Sequence, residues 1–164
     1  MSSRIDYSKV SPGVYRAMFG LEKYVHECGL ENSLLELVRM RVSQINGCAH
    51  CLDMHSKDAR AAGETEQRLY LVSAWRDAPM FSSRERAALA WAEALTLIAE
   101  TEISDELYDE TRRHFSEEEI VNLTAAIVAI NGWNRFAISL KSPVGNYRAG
   151  SIAAMLKKAD GTMS

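Results

Sequence analysis

The stretch SLLELVRMRVSQINGCAHCLDMHSKDARAAG, residues 33–63, decides the fold because it contains two helical patterns separated by Asn46-Gly47. Glycine readily ends a helix, since it adopts the left-handed backbone found just after many helices. The first pattern begins with Ser33 and Glu36, which are spaced as a capping box. The second begins at Cys48. The stretch therefore predicts a helix pair with a Cys-x-x-Cys sequence at the start of its second helix.

Helical patterns also cover the rest of the chain. Only three prolines occur, all at apparent helix boundaries, and no alternating β pattern interrupts the helices. The spacing of a capping box also occurs at Ser82 with Glu85 and at Ser116 with Glu119. The tail, residues 146–164, can hold one more helix. We predict an all-α fold, a helical bundle of about seven helices in which residues 1–164 form a single domain.

Charge and composition exclude several classes of protein. The chain has a net charge of −3 over 164 residues, whereas nucleic-acid binding requires a basic surface. The apolar tract Ile120–Leu140 is long enough to span a membrane, but its three asparagines and Arg135 would be costly there. Three cysteines are too few, and odd in number, for a secreted disulfide framework. We expect a cytoplasmic protein with neither a nucleic-acid nor a membrane partner.

The Cys-x-x-Cys helix places its reactive groups on one side. At about 100° per residue, Cys48, Cys51 and His55 share one stripe, whereas His50 falls on the polar side. An unperturbed thiol of pKa about 8.5 is only about 3% ionised at pH 7, so a nearby base is useful. His55, four residues after Cys51, is placed to accept the thiol proton. The pattern favours a dithiol that cycles through a disulfide.

Two other interpretations of the same residues stay open at this point. A structural zinc site needs four converging ligands, and this helix offers three. Alternatively, the cysteines are small buried residues and His55 is a core histidine with a satisfied hydrogen bond. We expect no metal and no cofactor. Cys28, near the end of the first helix, is expected to be a packing residue.

The run LLELVRMRVSQINGCAHCLDMHSKDARAAGE resembles the core of the alkylhydroperoxidase D-like proteins, within the carboxymuconolactone decarboxylase-like superfamily. Those proteins share a glutamate, eleven residues, and then C-x-H-C-x-x-x-H. The positions that match this spacing are Glu36, Cys48, His50, Cys51 and His55. The resemblance covers roughly residues 31–140, which we take as the core of the domain.

The resemblance implies a function and a set of roles. It implies a homo-oligomer, a trimer or hexamer, that reduces a hydroperoxide substrate and is restored by a thiol or protein reductant. By resemblance, Cys51 attacks the peroxide and Cys48 resolves it to a disulfide, although position alone favours Cys48 as the nucleophile. His55 and Glu36 resemble the proton relay, and His50 the accessory histidine. Without the resemblance, Glu36 reads as a capping residue.

The same residues allow two alternative functions. The wider superfamily includes decarboxylase or lactone chemistry, but that branch generally lacks the cysteine pair. A non-enzymatic alternative is a redox-sensing or metal-binding helical oligomer. In the long apolar segment, Trp133, Asn134 and Arg135 are expected to make contacts between helices or subunits rather than to bind substrate, because polar groups in an apolar helix need partners.

Overall fold

A computed structural model of the chain describes the backbone of residues 3–161 and the side chains of residues 3–156. Over these residues the chain forms nine α-helices, one 3₁₀ turn and no strand. The helices are α1 (Tyr7–Val10), α2 (Pro12–Glu27), α3 (Asn32–Asn46), α4 (Ala49–Ala61), α5 (Glu66–Leu71), α6 (Ser83–Thr96), α7 (Asp105–Arg112), α8 (Glu117–Leu140) and α9 (Ser151–Gly161), with the 3₁₀ turn at Val72–Ala74.

The all-α prediction is confirmed. Within the described part of the chain, seven helices have eight residues or more, and the expected last helix is α9. The two helices of the deciding stretch are α3 and α4, and Cys48 is the N-cap residue of α4.

Helix α3 lies at the centre of the molecule, packed against α4, α6 and α8. Leu35 and Val38 belong to one apolar cluster, while Leu37 and Met40 belong to a second. Because α3 contributes to both clusters, every residue from 34 to 40 is buried. Two of these seven are the charged residues Glu36 and Arg39, and buried charges need partners. The position of α3 therefore forces a polar network into the interior.

Two of the three capping boxes predicted from the sequence are present in the structure. Ser82 and Ser116 each cap a helix as predicted, with the N3 glutamate side chain accepting the N–H of the cap residue. The box predicted at Ser33 is wrong. Helix α3 begins at Asn32 without a side-chain cap, and Glu36 is only 5% exposed and bonded elsewhere. A carboxylate that can reach buried cations is stabilised more there than at an exposed helix end.

Helix α8 carries the long apolar tract and buries two of its asparagines with partners. Asn134 donates to the hydroxyl of Ser43 and accepts from the amide of Asn46, both on α3. Asn122 accepts from the hydroxyl of Tyr24. The expected contacts between helices are therefore confirmed for Asn134. Among the described residues, no helix combines the length and apolar character that a membrane crossing would need.

Candidate active site

The turn between α3 and α4 sets the position of the cysteine pair. Gly47 ends α3 with φ of 69°, and the N–H of Cys48 then donates to the carbonyl oxygen of Ser43 over 2.9 Å. A left-handed backbone is easily adopted by glycine and rarely by other residues. The chain therefore reverses within two residues, and Cys48 begins α4 directly beside the end of α3.

Cys48 and Cys51 are joined by a disulfide, with 5.4 Å between their Cα atoms. Each residue is 1% exposed. The backbone N–H of Cys51 lies 3.3 Å from the sulfur of Cys48, so an unpaired donor of the first helical turn points at that sulfur. Cys28 is separate from this pair. It is free, and its thiol donates to the carbonyl oxygen of Val25, as expected for a packing residue.

A chain of buried polar contacts runs from α4 to α8. His55 Nδ1 lies 2.9 Å from Glu36 Oε2, and Arg39 donates to Glu36 Oε1 over 2.8 Å. Arg39 also donates to Glu22 over 2.6 Å, and the indole N–H of Trp133 donates to the other oxygen of Glu22 over 3.1 Å. Because a carboxylate only accepts, His55 Nδ1 carries a proton. His55 Nε2 has no hydrogen-bond partner among the described residues.

The network keeps the Glu36 carboxyl ionised. Burial alone would raise its pKa, but the attraction of His55 and Arg39 and their hydrogen bonds outweigh burial and lower the pKa to about 2. For Arg39, burial opposes the charge, yet Glu22 and Glu36 raise the pKa of its guanidinium. The ring of His55 is therefore held by a carboxylate that stays charged across the physiological pH range.

His50 contacts a segment that follows α8. Its Nδ1–H donates to the carbonyl oxygen of Pro143 over 2.6 Å. Pro143 begins a segment, residues 143–150, that we call the C-terminal strap because it crosses the outer face of α4. Asp53 accepts from the N–H of Gly145 over 3.0 Å. At about 100° per residue His50 is predicted to lie off the stripe of Cys51 and His55; its observed hydrogen bond is with the strap, and it also lines the cavity beside Cys51.

Asp58 fastens the other end of the C-terminal strap. Its two oxygens accept the hydroxyl of Tyr147 over 2.6 Å and the N–H of Gly150 over 2.8 Å. Burial, followed by the bond to Asp58, raises the pKa of Tyr147, so the phenol stays protonated and keeps donating. The strap leads into α9, whose Leu156 is 3% exposed. In this way the outer face of α4 positions α9.

A cavity of about 380 Å³ opens beside the cysteine pair. Cys51 and His55 line it, whereas Cys48 does not. The cavity is also lined by a group of rings that we call the aromatic wall, made of Tyr7, Tyr15, Phe19 and Trp133. The start of α9 lines another part through Ile152, Ala153 and Leu156. The cavity is thus lined by one cysteine of the disulfide, a histidine and an aromatic surface.

The five residues singled out in the sequence meet in part. Cys48 and Cys51 form one bonded pair, and His55 and Glu36 form a second. Of the five residues, Glu36, His50, Cys51 and His55 line the same cavity. Sequence reasoning missed the buried partners of Glu36, which are Arg39 and, through it, Glu22. The spacing of Glu36 and Arg39, three residues apart on one helix, was an available signal. The aromatic wall was also missed, since its rings come from distant segments. Trp133 lies on it and also makes the expected contact between helices, by donating to Glu22 on α2.

No group of three or more His, Cys, Asp or Glu side chains in residues 3–156 is arranged to hold a metal ion. The carboxylates and imidazole of the site are bonded to one another and to Arg39 instead.

Comparison with known proteins defines the class. The pattern of the carboxymuconolactone decarboxylase family matches residues 12–94. The uncharacterized protein YdfG of Bacillus subtilis is 44% identical over 140 residues, which cover 85% of this chain and 95% of YdfG. The uncharacterized protein YnjA of Escherichia coli is 32% identical over 114 residues, covering 70% of this chain and 62% of YnjA. The chain belongs to the carboxymuconolactone decarboxylase family.

Solved structures narrow the fold to the AhpD-like type. A protein of unknown function from Agrobacterium tumefaciens, suggested by its name to be the antioxidant defence protein AhpD, superposes with a TM-score of 0.86 at 46% identity. The match covers 89% of this chain and all of that one, 100%. The debrominase Bmp8 has a TM-score of 0.75 at 24% identity, covering 91% of this chain and 78% of Bmp8, and shares the fold.

Proposed function

We propose that this chain is a thiol-dependent peroxidase that reduces hydroperoxides through a dithiol–disulfide cycle of Cys51 and Cys48. The observation that carries the proposal is that Cys51 and His55 face one cavity while Glu36 holds the far side of the imidazole. A thiol beside a base whose other side is held by a carboxylate is the combination of groups that activates a nucleophile, which supports the proposal. The name of the A. tumefaciens relative points to the same chemistry.

The first step consumes the peroxide. In the reduced protein, His55 Nε2 takes the proton of the Cys51 thiol, because Nδ1 is committed to Glu36. The Cys51 thiolate attacks one peroxide oxygen, and the O–O bond breaks. Cys51 becomes a sulfenic acid, and the departing alkoxide leaves as an alcohol with the proton that His55 returns. Sulfur loses two electrons and the peroxide gains them.

The second step forms the disulfide seen in the structure. The sulfur of Cys48 attacks the sulfur of the Cys51 sulfenic acid, and the hydroxyl group leaves as water with the Cys48 thiol proton. An external dithiol then reduces the disulfide by thiol–disulfide exchange and supplies the two electrons. The N–H of Cys51, aimed at the sulfur of Cys48, favours negative charge on Cys48 when the disulfide opens.

Cys51 is assigned as the peroxide-reducing cysteine because it lines the cavity and Cys48 does not. Proximity to the helix N-terminus would favour Cys48 instead, since it is the N-cap residue. We give access the greater weight, because helix-end effects of about 0.3–1 kcal/mol change the thiolate fraction only a few-fold.

The test is consumption of cumene hydroperoxide and of hydrogen peroxide with dithiothreitol as reductant. We expect Cys51→Ser to lose dithiol-dependent turnover, and Cys48→Ser to accumulate a sulfenic acid at Cys51 that dimedone traps. Cys28→Ser is the matched control and keeps the wild-type rate, since Cys28 is outside the pair. Equal turnover by wild type and Cys51→Ser would overturn the proposal.

Decarboxylase chemistry is a weaker candidate, because no observation at the site favours it over dithiol chemistry. A redox-sensing role would share the disulfide but show oxidation without turnover, so the same assay separates it. The trimeric or hexameric assembly, the protein or thiol reductant and the cytoplasmic location stay predictions. Size-exclusion chromatography with light scattering measures the assembly directly.

A further inference from the structure

The cavity is much larger than the smallest peroxide. Its volume of about 380 Å³ lies in the range of small-molecule sites, which begins at roughly 300 Å³. One water molecule occupies about 30 Å³ in the liquid, and hydrogen peroxide is of that order. The site therefore has room for an organic group in addition to the peroxide oxygens.

The aromatic wall provides a surface for that organic group. Tyr15 and Phe19 are stacked with ring centroids 5.9 Å apart, and Trp133 meets Tyr15 edge-on, also at 5.9 Å. These rings hold one another in place, so the surface is formed before a ligand arrives. Rings of this kind favour flat or apolar partners, which they contact in stacked or edge-on geometry.

The charges of the cavity disfavour an anion. Three carboxylates line it, those of Glu22, Glu36 and Asp58. Arg39 also lines it, but its two terminal nitrogens are bonded to Glu36 and Glu22, and its side chain is 5% exposed. No unpaired guanidinium or ammonium group among the lining residues is left to receive a ligand carboxylate. A ligand carboxylate in this cavity would also be buried beside the like charges of the three lining carboxylates.

We infer that the cavity is a binding site for an uncharged, ring-bearing organic group, and, if the proposed function holds, that the substrates are neutral aromatic hydroperoxides rather than carboxylated ones. The peroxide oxygens lie toward Cys51 and His55, and the ring lies against the aromatic wall. Phe19 is thus a specificity-determining residue, since it belongs to the wall and makes no hydrogen bond in the relay from His55 to Glu22.

The first experiment measures binding without turnover. Isothermal titration compares 2-phenyl-2-propanol, the alcohol left after reduction of cumene hydroperoxide, with 4-(2-hydroxypropan-2-yl)benzoate, which differs by one carboxylate. We expect the neutral alcohol to bind at least tenfold more tightly. Asp58→Asn, which removes one negative charge and keeps an acceptor for Tyr147, should narrow this difference. Equal affinity of the two alcohols, or no binding of the neutral one, would overturn the inference.

The second experiment uses the peroxides themselves. Cumene hydroperoxide and its 4-carboxylated analogue are compared by kcat/KM in wild type, Phe19→Ala and Tyr70→Ala. Phe19→Ala should lower kcat/KM for cumene hydroperoxide about tenfold more than it lowers the value for hydrogen peroxide. Tyr70, 71% exposed and outside this cavity, is the matched control and should change neither.

The two proposals fail in different ways. If the neutral alcohol binds selectively but no peroxide is consumed, the proposed function falls and the binding site stands. If peroxides are consumed with equal kcat/KM for the neutral and carboxylated forms, the peroxidase stands and the assignment of the cavity falls. An equal loss toward hydrogen peroxide and cumene hydroperoxide in Phe19→Ala would also count against the aromatic wall as the specificity surface.

Discussion

His55 Nδ1 lies 2.9 Å from Oε2 of Glu36, although 19 positions separate them in the chain. The contact joins the middle of α4 to the first turns of α3, and it exists because Gly47 folds one helix back on the other. The contact also determines which ring nitrogen of His55 can exchange a proton. With Nδ1 donating to Glu36, only Nε2 is left to exchange a proton at the cavity.

His55→Gln should slow peroxide-dependent oxidation of the cysteine pair about 10²-fold at pH 7, because general acid–base catalysis contributes typically 10²–10⁴-fold. Stopped-flow oxidation of the reduced protein measures this step without the reductant. His114→Gln is the control, since the imidazole of His114 bonds to Glu110 on α7 and lies outside the lining of the cavity. A rate within twofold of wild type for His55→Gln would remove His55 from the relay.

The depressed pKa of Glu36 predicts a loss of stability in acid. The carboxyl has a pKa of about 2 in the folded chain against 4.5 for the free side chain, so the unfolded chain binds its proton more readily. This contribution to the free energy of unfolding is complete above about pH 4.5 and disappears as the pH falls toward 2. Its size is on the order of 3 kcal/mol, at about 1.4 kcal/mol per pKa unit.

Urea unfolding of wild type and Glu36→Gln at pH 5 and pH 3 measures this contribution. The free energy of unfolding should fall less between these two pH values in Glu36→Gln than in wild type. Glu100→Gln, at an exposed position, should keep the wild-type pH dependence. The assignment of the low pKa to Glu36 is wrong if all three proteins show the same dependence.

Replacing Arg39 should destabilise the fold strongly. Arg39→Met leaves the carboxylates of Glu22 and Glu36 without their shared cation, and breaking a buried ion pair costs about 3–5 kcal/mol. Arg113→Met removes an exposed pair with Glu110 and should cost about 0–1 kcal/mol. Chemical denaturation at pH 7 compares the two. A cost below about 1 kcal/mol for Arg39→Met would mean that the network is not held together by this guanidinium.

Gly47 should tolerate alanine poorly for a reason confined to the backbone. Nothing lies within 4 Å of an added Cβ, so the cost of Gly47→Ala comes from φ of 69° and amounts to about 1–2 kcal/mol. Gly20→Ala makes the same chemical change inside α2, also in open space, and should stabilise by about 0.5–1 kcal/mol. Thermal unfolding that shifts both variants in one direction would contradict this account.

His50 should control the order of the C-terminal strap rather than the chemistry at sulfur. His50→Ala removes the bond to Pro143, so amide hydrogen exchange should rise in residues 143–150, including the N–H of Gly145 bonded to Asp53. Exchange in α3 should not change, and His114→Ala should leave both regions as in wild type. Unchanged exchange in the strap would show that the remaining bonds from α4 hold it alone.

Local patterns predicted the helices and part of the site. The Asn-Gly break, the capping boxes at Ser82 and Ser116 and the stripe of Cys48, Cys51 and His55 depend on residues within one or two turns. The same kind of reasoning placed Glu36 in a cap, and there it failed. The Glu36 carboxylate can bond either to the backbone at the exposed start of α3 or to a buried cation and an imidazole. The residues next to Glu36 in the sequence do not show which of these partners it takes.

By itself, the sequence determined that this chain is helical and that Cys51 and His55 lie one turn apart on α4, directly after Cys48, since spacing of 3.6 residues per turn governs both. Only the tertiary structure decided that Glu36 turns inward to His55, that Arg39 and Glu22 complete the network, and that rings from α1, α2 and α8 line the same cavity as Cys51. Those contacts join residues far apart in the chain, and they form only when burial removes water and makes each charge and ring find a partner.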